Sequence, residues 1–513
     1  MSSPLLGGRS SGGGIGRAQA ILDNLNFFFR ACLNGDWEAF KALADDPRNA
    51  LRLTIFLGLL LLGAIQHFLI DKKRATPNQT VRVGGEVEDL AIVEAIYVYP
   101  IKSCAGSKVQ SIELLKKGLE LDRNWAIVRT DTRRVLSLRP EPRLTLIQPT
   151  IDETNEELVI ALSPLANMPH LKPFRIPLRP SERTLSQWEL ISDLPMWGDA
   201  ADGRIPVPVA AQAGDLTPTE WMTDFLGYEA TIVQFDTTSH LSRIQYPIYR
   251  PPLHEQEELD SKSGAADLEG PRGLHFADEY PLLIATIESL HALENKIAEE
   301  VQMVSDEPAR KTASSEKRSI MGLSRQRWEK EKGDSLGPSA EPIAGRDKPV
   351  TVDMRRFRPN IVLKGSSNTP IQPWSEDSWE TLWILPQHGS ASEDGHKAKL
   401  HLVARCARCP LTTVSPTTAE RDPAVPLRLL ARDGWRMRVK HTTDELKESV
   451  GKKEPCFGMY ACPVPVHAAS AASLVQQQGG EGLEHRENFG SLQVGDRVRV
   501  RWRKAEDDDE PHM

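Results

Sequence analysis

"ARCARCPLTTVSPTTAERD", residues 404–422, sets Cys406 and Cys409 two residues apart, each behind an arginine, with a proline and a threonine pair following. The lead-in "KLHLVARC" alternates like a strand, and "PLTTVSP" does not readily open a helix. That turns the reading away from a thioredoxin-like dithiol at a helix start and toward a β-rich setting. A zinc site needs four ligands, which Cys406, Cys409, Cys456 and Cys462 could supply as C-x2-C and C-x5-C. The second spacing is loose, and Pro410 sits against Cys409. Arg405 and Arg408 beside the sulfurs favour a thiolate, which suits a soft metal, free or cofactor-bound. Spacing alone leaves all three readings open.

A metal carried by a phosphorylated ligand would need anion-binding groups. "YPIKSCAG" offers Lys102 and Ser103 just after a strand, "LDRNW" offers Arg123, and "RRFRPN" offers Arg358 and Asn360. Taken singly, each reads as a surface cation or solvated polar residue before it reads as a ligand.

The surrounding chain has 513 residues, enough for several domains, and a formal net charge of -8 that gives no overall attraction to nucleic acid. Six cysteines do not repeat at the dense spacing of a disulfide-stapled domain, so the catalytic part reads as belonging to a reducing compartment. "LTIFLGLLLLGAIQHFLI", residues 53–70, carries no formal charge and is followed by "DKKR". As a helix it would span roughly 27 Å, enough for a thin bilayer core. A buried core helix would normally keep a polar stripe, and a signal peptide would show a small-residue cleavage pattern. Lys72, Lys73 and Arg74 on its far flank place the large C-terminal part in the cytosol. Arg9 and Arg17 among serines, without an acid, give the first residues a mitochondrial flavour.

Strand patterns dominate after the anchor. "VEAIYVYPI" alternates with period two, "NWAIVRTDTRRVLSL" reads as a hairpin turning at "TDT", and "LVIALS" and "ATIVQF" continue the theme. "PLLIATIESLHALENKIAEEV" places Ile287, Leu290, Leu293 and Ile297 at helical spacing. Residues 299–349 lose periodicity and read as a disordered insertion. Strands resume at "NIVLKG", "TLWILP", "WRMRVKH" and "DRVRVRW". In the last, Arg497, Arg499, Arg501 and Arg503 share one face, which reads as a charged edge strand rather than a nucleic-acid patch.

The ordered set "YPIKSC", "LELDRNWAIV", "SLRPEPRL", "MWGD", "FADEYPLLI", "RRFRPNIV", "CARCPLTTVSP", "FGMY" and "LQVGDRVRV" resembles the MOSC-domain molybdenum proteins. Within them it is most like the membrane-anchored mitochondrial amidoxime-reducing components. The likeness runs from about residue 91 to 504. It implies an α+β, mainly β fold: an N-terminal extension (1–50), a transmembrane anchor (51–72), a tether (73–90), a MOSC N-terminal β-barrel domain (91–236), a MOSC β-barrel domain with flanking helices (265–505) and an acidic tail (506–513).

The resemblance also implies a molybdenum cofactor ligated by Cys409, with Cys406 as the neighbouring non-ligand. Lys102, Ser103, Arg123, Arg358 and Asn360 match its cofactor-binding residues, Asp278 matches an aspartate before a Thr-Ser pair, and Arg408 joins them beside Cys409. Glu279 and Tyr280 depart from that pair; a carboxylate there repels a phosphate unless it turns outward. The implied reaction is N–O cleavage in amidoximes and hydroxylamines, with electrons from NADH through cytochrome b5 reductase and cytochrome b5, at the outer mitochondrial membrane. "GGRSSGGG" follows no strand, so a separate reductase is expected. Two other roles compete: a sulfur-transfer or carrier module like the C-terminal part of molybdenum cofactor sulfurases, and a non-catalytic cofactor-binding protein.

Overall fold

The computed structural model describes residues 85–238, 243–244, 272–306, 352–388, 395–436, 454–465 and 489–503, short gaps apart. All belong to one unit of the chain, Val83–Met513, while the unit Met1–Arg82 lies outside the described residues. The expected anchor, tether start, most of the insertion and the acidic tail therefore lie outside them too. Among the described residues no helix is long and apolar enough to cross a membrane.

Seven strands close on themselves: β1 (Val87–Val98), β2 (Leu282–Thr286), β3 (Ile361–Gly365), β4 (Trp379–Leu385), β5 (Ala398–Ala407), β6 (Cys456–Val464) and β7 (Arg497–Trp502). Their order is β3-β2-β6-β5-β4-β7-β1, and β1 returns to β3. Only β2 and β3 run parallel; the other neighbours are antiparallel. Alternation along β1 explains the two layers, since successive side chains point to opposite faces. Ile96 and Val98 join Ile284, Leu382, Leu400 and Val500 in one core, while Ala95, Tyr97 and Tyr99 join a second with Phe357 and Phe457. Each such burial contributes roughly 1.5–3 kcal/mol.

Helix α2 (Ile287–Asp306) covers the second cluster through Ile287, Leu290, Leu293 and Ile297, the residues whose spacing predicts a helix. Thr286 caps it by accepting from the Ser289 N–H at 3.2 Å. The apolar run before it, read from sequence with the helix, is instead β2, buried throughout and paired on both sides. Short apolar runs look alike in helix and buried strand. The helix also continues to Asp306, past the expected break at 299, because "EEVQM" is good helix-forming sequence.

Two further expectations change. β7 is no edge strand: it pairs with β1 on one side and β4 on the other. Its arginines find local partners, Arg499 bonding Asp89 at 2.6 Å and Arg501 lying over the Trp383 ring. β1 starts at Val87, inside the expected tether, and pairs with β3 and β7 of the barrel, while its C-terminal end also meets the short strand Ser107–Val109 that follows it.

The segment between β1 and β2 forms a five-stranded antiparallel sheet ordered Glu189–Met196, Asp199–Ile205, Ala230–Phe235, Trp125–Arg129, Arg134–Val135. The expected hairpin at "TDT" is the last pair, and Arg129 forks onto Asp131 in its turn. A meander of Ile147–Asp152, Glu157–Leu162 and Phe174–Pro177 accompanies it. Helix α1 (Pro218–Leu226) opens with a Thr217–Glu220 capping box, and Arg143 binds the Leu226 carbonyl at its end.

Candidate functional site

β5 delivers the cysteine pair. Its pairing with β6 slips between Leu402 and Ala404 and again between Arg405 and Ala407, and such bulges re-aim side chains at the end of a ladder. Cys409 then stands in extended conformation directly before a 3-10 turn, Pro410–Thr413. So "PLTT" does open a short helix, with Pro410 at its first position, where a missing N–H costs nothing. Thr412 donates to the Cys409 carbonyl at 3.0 Å, and Arg356 reaches the carbonyls of Thr412 and Thr413 at 3.3 and 3.1 Å. The turn carrying Cys409 is thus pinned to the "RRFRPN" segment.

The two sulfurs differ. Of the five described cysteines, Cys409 alone is not buried. Cys406 is 3% exposed and accepts from Arg408 Nη1 at 2.7 Å, while Arg408 Nη2 donates to the Phe357 carbonyl. Burial pushes the Cys406 thiol up, against the pull of Arg408. Arg405 points elsewhere and pairs with Asp377 at 3.3 Å. The two arginines beside the sulfurs are thus bonded elsewhere, although the Arg408 charge still reaches Cys409. Alternation along the strand sends Arg405 to the opposite face from Cys406, and Arg408 is already engaged there. The donor to Cys409 Sγ is Arg139 Nε at 3.3 Å, from "SLRPEPRL". Arg139 is held above the ordinary arginine range: partial burial works against the charge, and the bond to Cys409 with the Asp278 and Glu279 charges outweighs it.

Beside this lies a cationic floor. The guanidiniums of Arg123 and Arg358 lie over the Tyr99 ring, at 4.6 and 4.2 Å from its centre. Arg123 pairs with Asp122, which also accepts the Tyr99 N–H at 2.8 Å, and it reaches Asn360 Oδ1 at 3.2 Å. Arg358 Nη1 donates to the Cys104 carbonyl at 2.7 Å. Burial lowers Arg358 to about 10, so it stays cationic at neutral pH, and lifts Tyr99 to about 12, so the phenol keeps its proton. Lys102 donates to the Phe276 carbonyl at 2.9 Å and pairs with Asp278.

The backbone marks the same positions. Ser103, Arg123 and Arg358 have φ of 68°, 53° and 56°. Such left-handed conformations are uncommon outside glycine and gather where function over-determines the chain.

The structure thus brings Lys102, Ser103, Arg123, Asp278 and Arg358 to the loops around one end of β1. It links them to Cys409 through Arg356 and the Arg139–Asp278 neighbourhood. Asn360 serves differently: buried, it accepts the Leu283 N–H and donates to the Tyr97 carbonyl, tying β2 to β1. Glu279 is exposed, yet its charge reaches Arg139, Cys406 and Tyr460, so the carboxylate stays on the cysteine side of the site, and Tyr280 is buried against Tyr460 with ring centres 4.9 Å apart. Arg139, Arg356, Tyr99 and Asp122 are additions. Each lies inside a quoted motif, and the Asp-Arg and Arg-Arg doublets were the available signal.

Whether an anionic, metal-bearing cofactor fits can be read from buried donors. Arg358 Nη2 and Arg408 Nε have no hydrogen-bond partner among the described residues, and a buried N–H left so costs about 1–3 kcal/mol. Three cations facing two carboxylates, with one reachable thiol, suit a phosphate-bearing ligand whose metal takes sulfur. Among the described residues no cluster of three or more His, Cys, Asp or Glu offers a metal site.

A closed β-barrel that carries a second β domain between its first two strands, with these loops at their junction, defines a class. Residues 90–228 match the MOSC N-terminal beta barrel domain and residues 324–499 the MOSC domain, together more than half of the chain. The chain is a MOSC-domain protein. It is 24% identical to mitochondrial amidoxime reducing component 2 of Rattus norvegicus, over 82% of this chain and 90% of the relative. It is 24% identical to mitochondrial amidoxime-reducing component 1 of Homo sapiens, over 79% and 88%. It is also 24% identical to molybdenum cofactor sulfurase of Aspergillus niger, over 70% of this chain but only 39% of the relative.

Proposed function

We propose that this chain is a molybdenum-cofactor reductase that cleaves the N–O bond of N-hydroxylated compounds such as amidoximes and hydroxylamines. The observation that carries the reading is the presence together of a solvent-reachable thiol, Cys409, and a guanidinium, Arg358, whose buried Nη2 has no hydrogen-bond partner among the described residues. Cys409 would ligate the metal; Lys102, Ser103, Arg123 and Arg358 would take the anionic part. When bound, the cofactor supplies a two-electron centre and a Lewis acid. The chain's own contribution is positional and electrostatic. Arg123 and Arg358, fixed over Tyr99, present charge without reorganising, and the Arg356 hold on the 410–413 turn keeps Cys409 in register. Electrons would come from NADH through cytochrome b5 reductase and cytochrome b5, with residues 53–70 anchoring the chain in the outer mitochondrial membrane, catalytic part to the cytosol.

Relatives of the sulfurase type support a second reading, a sulfur-transfer or carrier module. Relatives of both types match this chain at 24% identity, so the assay separates the two readings. The test is to purify the full chain in detergent, measure molybdenum by mass spectrometry, and follow benzamidoxime reduction with NADH, cytochrome b5 and its reductase. Stoichiometric molybdenum with turnover is expected. Molybdenum without turnover would remove the reductase reading, and no molybdenum would remove both.

A further inference from the structure

We propose that Arg139, from the N-terminal domain, is the positioning residue that directs and charges the surroundings of the Cys409 sulfur, and that Arg421 locks it in place. This rests on the reading of Cys409 as the functional thiol. Arg139 Nε donates to Cys409 Sγ at 3.3 Å across 270 positions of sequence. The loop that carries Cys409 answers in the other direction. Arg421 Nη2 donates to the Leu138 carbonyl at 3.0 Å and also binds the Arg139 carbonyl. Arg421 is itself fixed by a bridge to Val414, at the end of the turn that Cys409 begins. The two loops therefore clasp each other, one through a side chain on sulfur, the other through a guanidinium on backbone.

Both halves are mounted on rigid parts. Residues after Arg139 enter the 3-10 turn Pro142–Leu146, capped by Glu141, which Arg143 and Tyr228 bind at 2.7 and 3.1 Å. From that turn Thr145 donates to the Pro416 carbonyl at 3.2 Å, a second tie to the cysteine loop. Arg139 itself is exposed, with the Asp278 and Glu279 charges nearby. A guanidinium there does two things that packing alone would not: it sets a fixed positive charge beside the sulfur, and it attracts anions to the mouth.

The test uses the full chain made without cofactor, so that it does not depend on molybdenum. Alkylation of Cys409 is followed peptide by peptide with iodoacetate and with iodoacetamide at one pH. The ratio of the two rates reports local positive charge, and a shape change alone shifts both rates together. Arg139→Leu should lower the ratio by roughly five- to ten-fold. Arg139→Lys should restore most of it, and Arg421→Leu should lower it in the same direction by less. A ratio in Arg139→Leu within two-fold of the parent, with unchanged thermal unfolding, would overturn the proposal. So would a ratio that Arg139→Lys fails to raise above that of Arg139→Leu. Loss of the ratio in a chain that never binds molybdenum would leave the positioning intact and count against the cofactor reading.

Discussion

Cys406 and Cys409 stand two letters apart, and the fold gives them different work. Cys409 is reachable and faces Arg139, whereas Cys406 is buried, held up as a thiol and bound to Arg408. Cys409→Ala should abolish benzamidoxime turnover in a chain that unfolds normally. Cys406→Ala should keep most turnover and cost about 1–3 kcal/mol of stability, since it leaves Arg408 Nη1 without its partner. Equal loss of turnover in both variants would mean a two-sulfur site instead. At this scale the motif made Cys409, Lys102, Arg123 and Arg358 legible. Arg139 stayed hidden because an exposed arginine 270 positions away carries no local mark of its target. The left-handed backbone at Ser103, Arg123 and Arg358 was equally hidden, since no glycine announces it.

Helix α2 carries Glu294 into the second core, where it accepts the Val352 N–H at 2.7 Å and ties the helix to the start of the segment that bears Arg358. Burial lifts this carboxyl from 4.5 to about 7. Between those values the folded chain keeps a proton that the unfolded chain has released. The stability this provides is full below about pH 4.5 and is lost as pH rises through 7. Glu294→Gln keeps the acceptor and cannot ionise, so its unfolding temperature should gain on the parent between pH 5 and pH 8. The gain amounts to at most about 3 kcal/mol; parallel pH profiles for the two proteins would contradict this. Elements were legible where periodicity was long, as in Ile287 to Ile297, and where strands alternated, as in Arg497–Trp502. The start of α2 was misread because "PLLIAT" is apolar on both faces, which only its two strand partners explain.

Across the whole molecule, the junction of the two β domains depends on a close backbone approach. Gly118, at φ +112°, faces Pro281, and a Cβ there would stand 2.6 Å from the Pro281 carbonyl oxygen. Gly118→Ala should destabilise the chain by about 2–4 kcal/mol. It should also lower bound molybdenum, because Pro281 follows the Phe276–Asp278 stretch that Lys102 grips. Calorimetry with metal analysis checks both. The closure of the barrel was beyond reach of local pattern: the Arg499–Asp89 contact joins positions 410 apart. The same closure fixes an order of events at synthesis. A ring that begins at Val87 and needs Trp502 cannot shut while its last strand is still inside the ribosome. Long-range pairing of this kind forms late. Lys102 and Ser103 thus emerge from the ribosome hundreds of residues before the wall that completes their surroundings, so cofactor loading waits until the strand ending at Trp502 has emerged and paired.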